Sequence, residues 1–463
     1  MKLVLISIII LISPKVFSEI NSRISLEQVL DSIDRHSPLI KSEIEKINLS
    51  RAQVEIAKSS FDLNWQLSSG EQKNGYPENR KNESKIQTQI FGTGILATLA
   101  WDEFDGTVPV YRQSELTGSE GRLKASLQIP LLRNLLTDPN RTNLEINKLN
   151  LNSTEQSFRF AKMQIYIKAA LSYYNWLASI EKRKISEDLL QLALQRREFI
   201  NKKVKLGDSP KIDLIEIERI IFERENNLLK SSQNEFKASQ DLSLFLRDTE
   251  GQVKVPQASQ AKNLLQETQS FNVVDTHSWN FSEFPILKSM ELLIQAQKAE
   301  LKLFKQERLP KLNLVLENSE YYGDLPINRQ SSTESFVGFT LTFPILNLEA
   351  KGKYSLAQAK VNSKTQEMIF LRDQLKIRFD VLSSEYKTAY QLYQNSLKEI
   401  KNSQILSEAA RRKYEKGAVD LFMVNTREVE EANSQIQSIE LFLNFQNLNN
   451  EILLLQNKWI RTF

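Results

Sequence analysis

The sequence predicts a mixed fold, in which very long α-helices are joined to the strands of a transmembrane β-barrel and the pattern occurs twice. Three observations carry this prediction: long segments without glycine or proline, short segments in which apolar and polar residues alternate, and a similarity between the two halves of the chain. The 463 residues contain 13 glycines and 12 prolines, and these cluster outside the long segments. Length alone would allow about three average domains.

The helical prediction rests on four segments that contain neither glycine nor proline: 141–206, 211–250, 353–416 and 418–463. As a single helix, the third would be about 100 Å long at the usual rise per residue, whereas helices in globular proteins typically have about 10–14 residues. Gly207 and Gly417 separate the members of each pair. The sequence therefore predicts two very long helical hairpins that turn at these glycines, because a tight turn requires a positive φ or a residue without Cβ.

Four short segments alternate between apolar and polar residues, as strands of a transmembrane barrel do. They are Leu63–Leu67, Leu123–Ile129, Leu312–Leu316 and Val337–Phe343. A single strand of this kind would also fit a soluble sheet, but four of them beside very long helices favour the membrane. Four are too few to close a barrel, which needs about eight, so the barrel is predicted to be shared between chains. Residues 86–101, in which Ile95, Ala97, Leu99 and Trp101 also form an apolar stripe, are an extra segment, either an extracellular hairpin or an extension of neighbouring strands.

The two halves of the chain match each other, and the number of residues between matching positions becomes smaller along the sequence. Lys41-Ser42 corresponds to Lys288-Ser289, and Gly207 corresponds to Gly417. The match predicts two structural repeats, each with the order helix, strands, long helix, glycine turn, long helix. The predicted divisions are a signal peptide at 1–18, a first repeat at 19–250 with strands in 61–130, a connector at 251–283, and a second repeat at 284–463 with strands in 310–345.

The N-terminus has the pattern of a signal peptide. Lys2 precedes an apolar run from Leu3 to Ile12, and Ser18 fits cleavage before Glu19. Without Lys2 and Lys15 the formal net charge falls from +4 to +2, and this near balance gives no support to nucleic-acid binding. No later stretch is long and apolar enough to predict a transmembrane helix.

Catalytic and metal-binding signatures are missing from the sequence. The chain has no cysteine and two histidines, His36 and His277, so a histidine-based triad or metal site is not predicted. Neither a P-loop nor a GxSxG motif is present. The sequence therefore predicts no enzyme, no metal site and no cofactor.

The layout resembles the TolC family of outer-membrane efflux proteins, over about Leu26 to Trp459. The resemblance is carried by the internal repeat, by Ile129–Arg133 with Asn140-Arg141 downstream, and by the turns Lys205–Gly207 and Glu415–Gly417. It implies a homotrimer that shares a 12-stranded outer-membrane barrel, four strands per protomer, continued by a periplasmic coiled-coil tube with the connector as an equatorial belt. It also implies a passive exit duct that works with a periplasmic adaptor (membrane fusion) protein and an inner-membrane pump of RND or ABC type.

The resemblance further implies a gate where the tube narrows at the periplasmic tip. Tyr414 and Asp213 match a gate tyrosine and a gate aspartate by position, and such groups can hold neighbouring hairpins closed by charge-assisted hydrogen bonds. Asp420 is either a displaced acidic ring or a simple helix N-terminal acid. The adaptor-docking tip is expected at the residues around the two glycines: Leu206, Gly207, Asp208, Gly417, Ala418 and Val419.

Three positions of the chain depart from the family's gate. Val419 stands where the family has a gate arginine. Met423 and Thr426 stand where the family can carry a constricting acidic ring. The closed state is therefore not expected to depend on the same salt bridges as in the family.

Two other kinds of function compete with an efflux duct. Drug or metal efflux and type I protein secretion are not separable from the sequence, since both use the same kind of outer-membrane component. A non-channel periplasmic coiled-coil scaffold belongs to a different class. The alternating strands argue against a scaffold, which has no need for them.

Overall fold

The computed structural model describes residues 23–73, 78–106, 116–248, 250–264, 279, 283–326 and 329–456. The predicted signal peptide and a large part of the predicted connector lie outside these ranges, as does His277. The chain forms two compact units. The helical unit comprises Met1–Glu43, Arg159–Phe284 and Asp373–Phe463, and the sheet unit comprises Ile44–Phe158 and Pro285–Arg372.

Within the described ranges the chain forms seven α-helices: α1 Leu26–His36, α2 Pro38–Lys58, α3 Pro139–Leu206, α4 Lys211–Ser243, α5 Pro285–Glu307, α6 Leu348–Glu415 and α7 Leu421–Leu455. The predicted hairpins are confirmed, since α3 and α6 each have 68 residues and a short turn leads from each to the next long helix. None of the helices in the described ranges is apolar over a long enough stretch to cross a membrane.

Some helix ends differ from the prediction. Helix α6 begins at Leu348 and runs through Gly352, where the prediction began the helix after the glycine. A glycine inside a helix costs about 1 kcal/mol relative to alanine, which the remaining turns of so long a helix can offset. Helix α4 ends at Ser243, seven residues before the predicted end at Glu250.

The sheet unit holds one antiparallel sheet of six strands in the order β1-β2-β3-β4-β5-β6. The strands are β1 Asn64–Gln72, β2 Asn79–Gln89, β3 Leu96–Gly106, β4 Gly121–Pro130, β5 Lys311–Tyr322 and β6 Thr333–Thr342. The sheet therefore has six strands, two more than the four per protomer that were predicted. Residues 86–101, predicted as one extra segment, belong to two full strands and the turn between them, which contains Gly92 with a φ of 75°.

The polarity of β2 explains why residues 86–101 were not predicted to contain parts of two strands. Its sequence contains a single large apolar residue, Ile86, among asparagine, glutamine, lysine, arginine, glutamate, serine and threonine. Without apolar residues at alternate positions there is no period of two to detect. The equivalence of the two repeats, residue by residue, stays a prediction.

The two faces of the sheet differ in polarity and burial. Paired residues in neighbouring antiparallel strands point to the same face, and the pairing places Trp65, Leu99, Leu127 and Val337 on one face, here called the apolar face. These large side chains are exposed, Trp65 at 70% and Val337 at 68%. The opposite, polar face is the more buried one, and its residues Asp102, Asn313 and Ser319 are buried. This distribution is the reverse of that in a soluble sheet.

The helical unit is packed through aromatic side chains. Tyr386 stacks on Phe445 with 5.1 Å between ring centroids, and Tyr393 lies 5.5 Å from Phe442. On α3, Trp176 is fully buried beside Tyr173. Tyr386 and Tyr393 of α6 therefore belong to the interior of the unit.

Candidate functional site

The two predicted glycine turns have the same hydrogen-bonded form. Gly207 has a φ of 83° and Gly417 a φ of 72°. The amide of Gly207 donates to the carbonyl of Val204, and the amide of Asp208 donates to that of Lys203 over 2.9 Å. This pair of hydrogen bonds defines a Schellman C-cap, which satisfies the last carbonyl groups of a helix.

The second turn repeats this geometry on α6. Gly417 donates to the carbonyl of Tyr414, and Ala418 donates to that of Lys413, both over 2.9 Å. A Cβ built on Gly207 or Gly417 meets no atom within 4 Å. The glycines are therefore required by the left-handed backbone conformation alone, and close packing plays no part.

The cost of these two turns can be measured by substitution. Gly207→Ala is expected to destabilise the α3–α4 turn by about 1 kcal/mol, because alanine must adopt a positive φ. The matched control is Gly352→Ala, also at an open position but within α6, where alanine should stabilise the helix by up to about 1 kcal/mol. Amide hydrogen exchange next to each site measures the change in local stability. If both substitutions changed the local stability in the same direction, this account of Gly207 would be contradicted.

Tyr414 is half-buried at the end of α6. Its ring lies 6.2 Å from the ring of Phe199, and the cations of Arg196 and Lys203 lie 6.0 Å and 5.9 Å from its centroid. It also packs against a buried apolar cluster that includes Ile200 and Leu421. Helices α3 and α6 therefore meet at this tyrosine ring.

Asp213 lies close enough to Tyr414 for its charge to act on the tyrosine. Burial raises the pKa of the Tyr414 hydroxyl, the Asp213 carboxylate raises it further, and the Arg196 guanidinium opposes them. Among the residues that the structure describes, neither the Tyr414 hydroxyl nor the Asp213 carboxylate forms a hydrogen bond. Both predicted gate groups therefore have hydrogen-bonding capacity that the described residues of their own chain leave unused.

Asp420 serves as the N-cap of α7. Its carboxylate accepts a hydrogen bond of 2.8 Å from the backbone amide of Met423. A capping aspartate satisfies one of the free amides at the start of a helix. Of the two interpretations of Asp420, the structure therefore favours the helix N-terminal acid.

The predicted adaptor-docking residues lie at the surface of the two turns. Leu206 is 77% exposed, and Gly207, Asp208, Gly417 and Ala418 are exposed as well. Val419 is half-buried. The exposed side chain of Phe422 follows in the first turn of α7.

A buried charged network joins all four long helices close to these turns. Glu428 of α7 is fully buried, and it accepts hydrogen bonds from Arg196 of α3, Arg224 of α4 and Arg411 of α6. The distances are 3.0 Å from Arg196 Nη1 to Glu428 Oε2, 3.1 Å from Arg224 Nη2 to Oε2, and 3.0 Å from Arg411 Nε to Oε1. One carboxylate therefore connects both helical hairpins of the chain.

Two further contacts complete this network. Arg224 donates to Asn425 over 2.7 Å, and Arg411 donates to Glu431 over 3.3 Å. Burial tends to raise the pKa of Glu428, but the hydrogen bonds and charges of Arg196 and Arg224 outweigh it and lower the pKa below 4.5. Glu428 is therefore ionised at neutral pH. Arg196 also lies against the ring of Tyr414, so the network and the candidate gate share a side chain.

This network was not predicted, although the sequence contains a signal for it. Leu421, Val424, Glu428 and Ala432 recur at helical spacing and are all buried. A carboxylate within an otherwise apolar stripe indicates a buried charge that needs a partner. No group of three or more metal-ligating side chains is placed to hold a metal ion in the part of the chain that the structure describes.

Solved structures with a similar fold are outer-membrane channels. CusC, whose crystal structures concern the conformational changes accompanying folding and transmembrane channel formation, has a TM-score of 0.68 at 16% identity. The match covers 93% of this chain and 91% of that one. The CmeC outer membrane channel of Campylobacter jejuni has a TM-score of 0.62 at 15% identity, over 94% and 85% of the two chains. The chain has the fold of these channels.

A third structure extends the match. The outer membrane protein VceC of Vibrio cholerae has a TM-score of 0.65 at 12% identity, over 93% of this chain and 96% of that one. No protein-family model and no curated protein sequence matches the chain. The predicted resemblance to outer-membrane efflux proteins is confirmed for the channel fold, which extends over nearly the whole chain.

Proposed function

We propose that the protein is an outer-membrane exit duct. Three copies close a shared barrel in the outer membrane, and their long helices continue as a coiled-coil tube into the periplasm. The duct conducts substrates passively, and a periplasmic adaptor with an inner-membrane pump of RND or ABC type delivers them. The protein has no catalytic role in this proposal.

The observation that carries the proposal is the reversed polarity of the sheet. Large apolar side chains such as Trp65 and Phe339 are exposed on one face, while Asp102 and Asn313 are buried on the other. On the polar face, Arg122 pairs with Asp102 over 2.7 Å and Lys124 pairs with Glu317 over 2.9 Å. A transmembrane barrel has this arrangement, with apolar residues toward lipid and polar residues toward a wet interior.

The free edges of the sheet support closure by further copies. Strands β1 and β6 form the two edges, and in lipid their unpaired backbone groups would each cost several kcal/mol. Because strand direction alternates across six strands, β6 of one copy and β1 of the next are antiparallel. A ring of copies therefore satisfies both edges with the same kind of pairing found inside the sheet.

An exposed heptad stripe on α4 supports lateral contacts between helices of different copies. The stripe consists of Ile215, Phe222, Leu229 and Phe236, which are spaced by seven residues and all exposed. Apolar residues at a seven-residue repeat form the seam of a coiled coil. We assign this seam to the neighbouring copy in the trimer.

The tip supports a gate formed by Tyr414 and Asp213. Their hydroxyl and carboxylate have no hydrogen-bond partner in the described part of their own chain, and a neighbouring copy supplies one in the closed ring. The exposed surface around Leu206, Asp208, Ala418 and Val419 is the docking tip for the adaptor. Asp420 is assigned to helix capping and takes no part in the gate.

Single-channel conductance in planar bilayers tests the duct and its gate. The wild type is expected to show small openings, and Tyr414→Phe combined with Asp213→Ala is expected to raise the conductance several-fold by removing the hydrogen bonds between hairpins. The matched control is Tyr390→Phe with Asp241→Ala, the same changes on the same helices away from the turns, and it should leave the conductance unchanged.

The remaining outcomes separate the parts of the proposal. Channels that respond equally to both variants, or to neither, would contradict the gate and keep the duct. Absence of channels together with a protein that stays soluble without detergent would instead favour the periplasmic scaffold.

A further inference from the structure

We propose that the β2–β3 hairpin is part of the membrane wall, so that three copies close a barrel of 18 strands. The inference rests on the proposed trimeric duct and changes its dimensions. Three copies of the four predicted strands would give 12, whereas three copies of the six observed strands give 18. The alternative is a hairpin that projects beyond the membrane and leaves β1 to pair with β4.

The pairing within the sheet places the hairpin in the wall. Strand β2 pairs with β1 from Gln87–Asn64 to Asn79–Gln72, along the whole of β1. It pairs with β3 from Gln89–Leu96 to Asn79–Gly106, along the whole of β2. The hairpin therefore separates β1 from β4 over their full length, and β1 reaches the rest of the sheet only through it.

The stagger of the strands is that of a closed barrel. Following hydrogen-bonded partners from Asn64, the first residue of β1, across the sheet leads to Phe336 in β6. On the side of the sheet where β1 begins, β6 ends at Thr342, six residues beyond Phe336. Six residues, about 20 Å, over five strand spacings of about 4.8 Å correspond to a tilt of about 40°, within the range of about 35–45° found in barrels.

The apolar face continues through the hairpin, and its apolar residues lie at the same distance from the strand ends as in the neighbouring strand. The base of a strand is here its end on the side of Asn64, the first residue of β1. Ala97 and Leu99 lie one and three residues from the base of β3 at Leu96. In the neighbouring strand, Ile129 and Leu127 lie one and three residues from the base of β4 at Pro130. A common height measured from the strand bases is expected when all strands cross the same layer at the same tilt.

One aromatic contact fixes β3 against the strands beyond it. The ring of Trp101 lies over Gly121 of β4, where a Cβ would come within 2.8 Å of the indole. The same ring lies 5.3 Å from the ring of Tyr322 in β5. Trp101 thus packs across β4 on the apolar face, which a hairpin projecting away from the sheet could not do.

Barrel width distinguishes the two arrangements, because the diameter grows roughly in proportion to strand number. At a tilt of about 40° the radius is about 12 Å for 12 strands and about 18 Å for 18 strands. Backbone positions related by three-fold symmetry are then separated by about 21 Å or about 31 Å, respectively.

A spin label at one position per copy measures this separation. The chain has no cysteine, so Ser126→Cys and Ala125→Cys, made separately, each provide a single attachment site on β4 in the full-length protein. Neighbouring residues of a strand point to opposite faces, one label toward the lumen and the other toward lipid, so the mean of the two distances from pulsed electron–electron double resonance in detergent approximates the backbone separation. We expect this mean distance to be near 30 Å. Deleting residues 79–106 in the same background removes β2 and β3 while preserving strand alternation, and it should shorten the distance to near 20 Å.

Each result decides a different point. A distance near 20 Å in the full-length trimer overturns the 18-stranded wall and leaves the duct intact. A protein without any inter-copy distance, monomeric in detergent, overturns both the proposed function and this inference. If the deleted protein does not fold, the full-length distance alone decides between 12 and 18 strands.

Discussion

Glu428→Gln is expected to destabilise the helices near the two turns by about 3–5 kcal/mol. The substitution keeps the size of the side chain but removes the negative charge that faces Arg196 and Arg224, which are 8% and 4% exposed. Breaking a buried ion pair from one side leaves the other charge without compensation, and this is costly. Amide hydrogen exchange of α3 and α7 around these residues measures the local opening free energy.

Glu430→Gln is the matched control for Glu428→Gln. It lies two residues away on the same helix and pairs with Arg427 over 2.7 Å at the surface. Exposed pairs of this kind contribute less than about 1 kcal/mol. If both substitutions had equally small effects, the buried network would contribute no more to stability than a surface pair.

The dependence on pH gives Glu428 a second signature. Its pKa is lowered from the ordinary value of 4.5, so its stabilising contribution is fully present above pH 4.5. This contribution is lost as the pH falls through the folded-state pKa, because the unfolded chain takes up the proton more readily. As the pH falls below 4.5, the wild type is expected to lose the local stability that the Glu428→Gln variant already lacks. The local opening free energies of the two proteins should therefore converge in acid.

Phe222→Asp combined with Leu229→Asp is expected to dissociate the proposed trimer into monomers in detergent. Both residues belong to the exposed heptad stripe of α4, and in the trimer each new carboxylate would be buried without a partner. At a cost of at least about 3 kcal/mol for each site, the two together weaken association by about four orders of magnitude. Mass photometry or light scattering of the purified protein measures the result.

The control places the same charges on another side of α4. Asn227→Asp with Asn234→Asp has the same seven-residue spacing at exposed positions, about two fifths of a turn away from the stripe. This variant is expected to remain trimeric. Dissociation of both variants would indicate a general effect of charge, and a trimer that survives both would show that the stripe faces solvent.

The sequence was most informative where one residue type decides the local structure. The long helices follow from the absence of glycine and proline between residues 141 and 206 and between 353 and 416. The two turns follow from single glycines, because a left-handed C-cap favours glycine over every other residue. Both predictions were confirmed, together with the alternating strands β1, β4, β5 and β6.

Strand β2 could not be predicted because its pairing is set by its neighbours. A polar segment gains a strand conformation from the hydrogen bonds of β1 and β3 on either side, and one-dimensional patterns do not record such pairing. The charged network near the turns was missed for a related reason. Its arginines come from α3, α4 and α6, and only the packing of the four helices brings them to Glu428.

The register of the sheet also fixes the order in which it can assemble. Strands β1 to β4 follow one another directly, and β5 and β6 form a second local hairpin, but Pro130 of β4 pairs with Asn313 of β5. Joining them closes a loop of about 180 residues, which costs about 3 kcal/mol more in chain entropy than a six-residue turn. Pairings of high contact order form slowly, so the seam between β4 and β5 is the kinetic bottleneck at which a four-stranded and a two-stranded sheet become one.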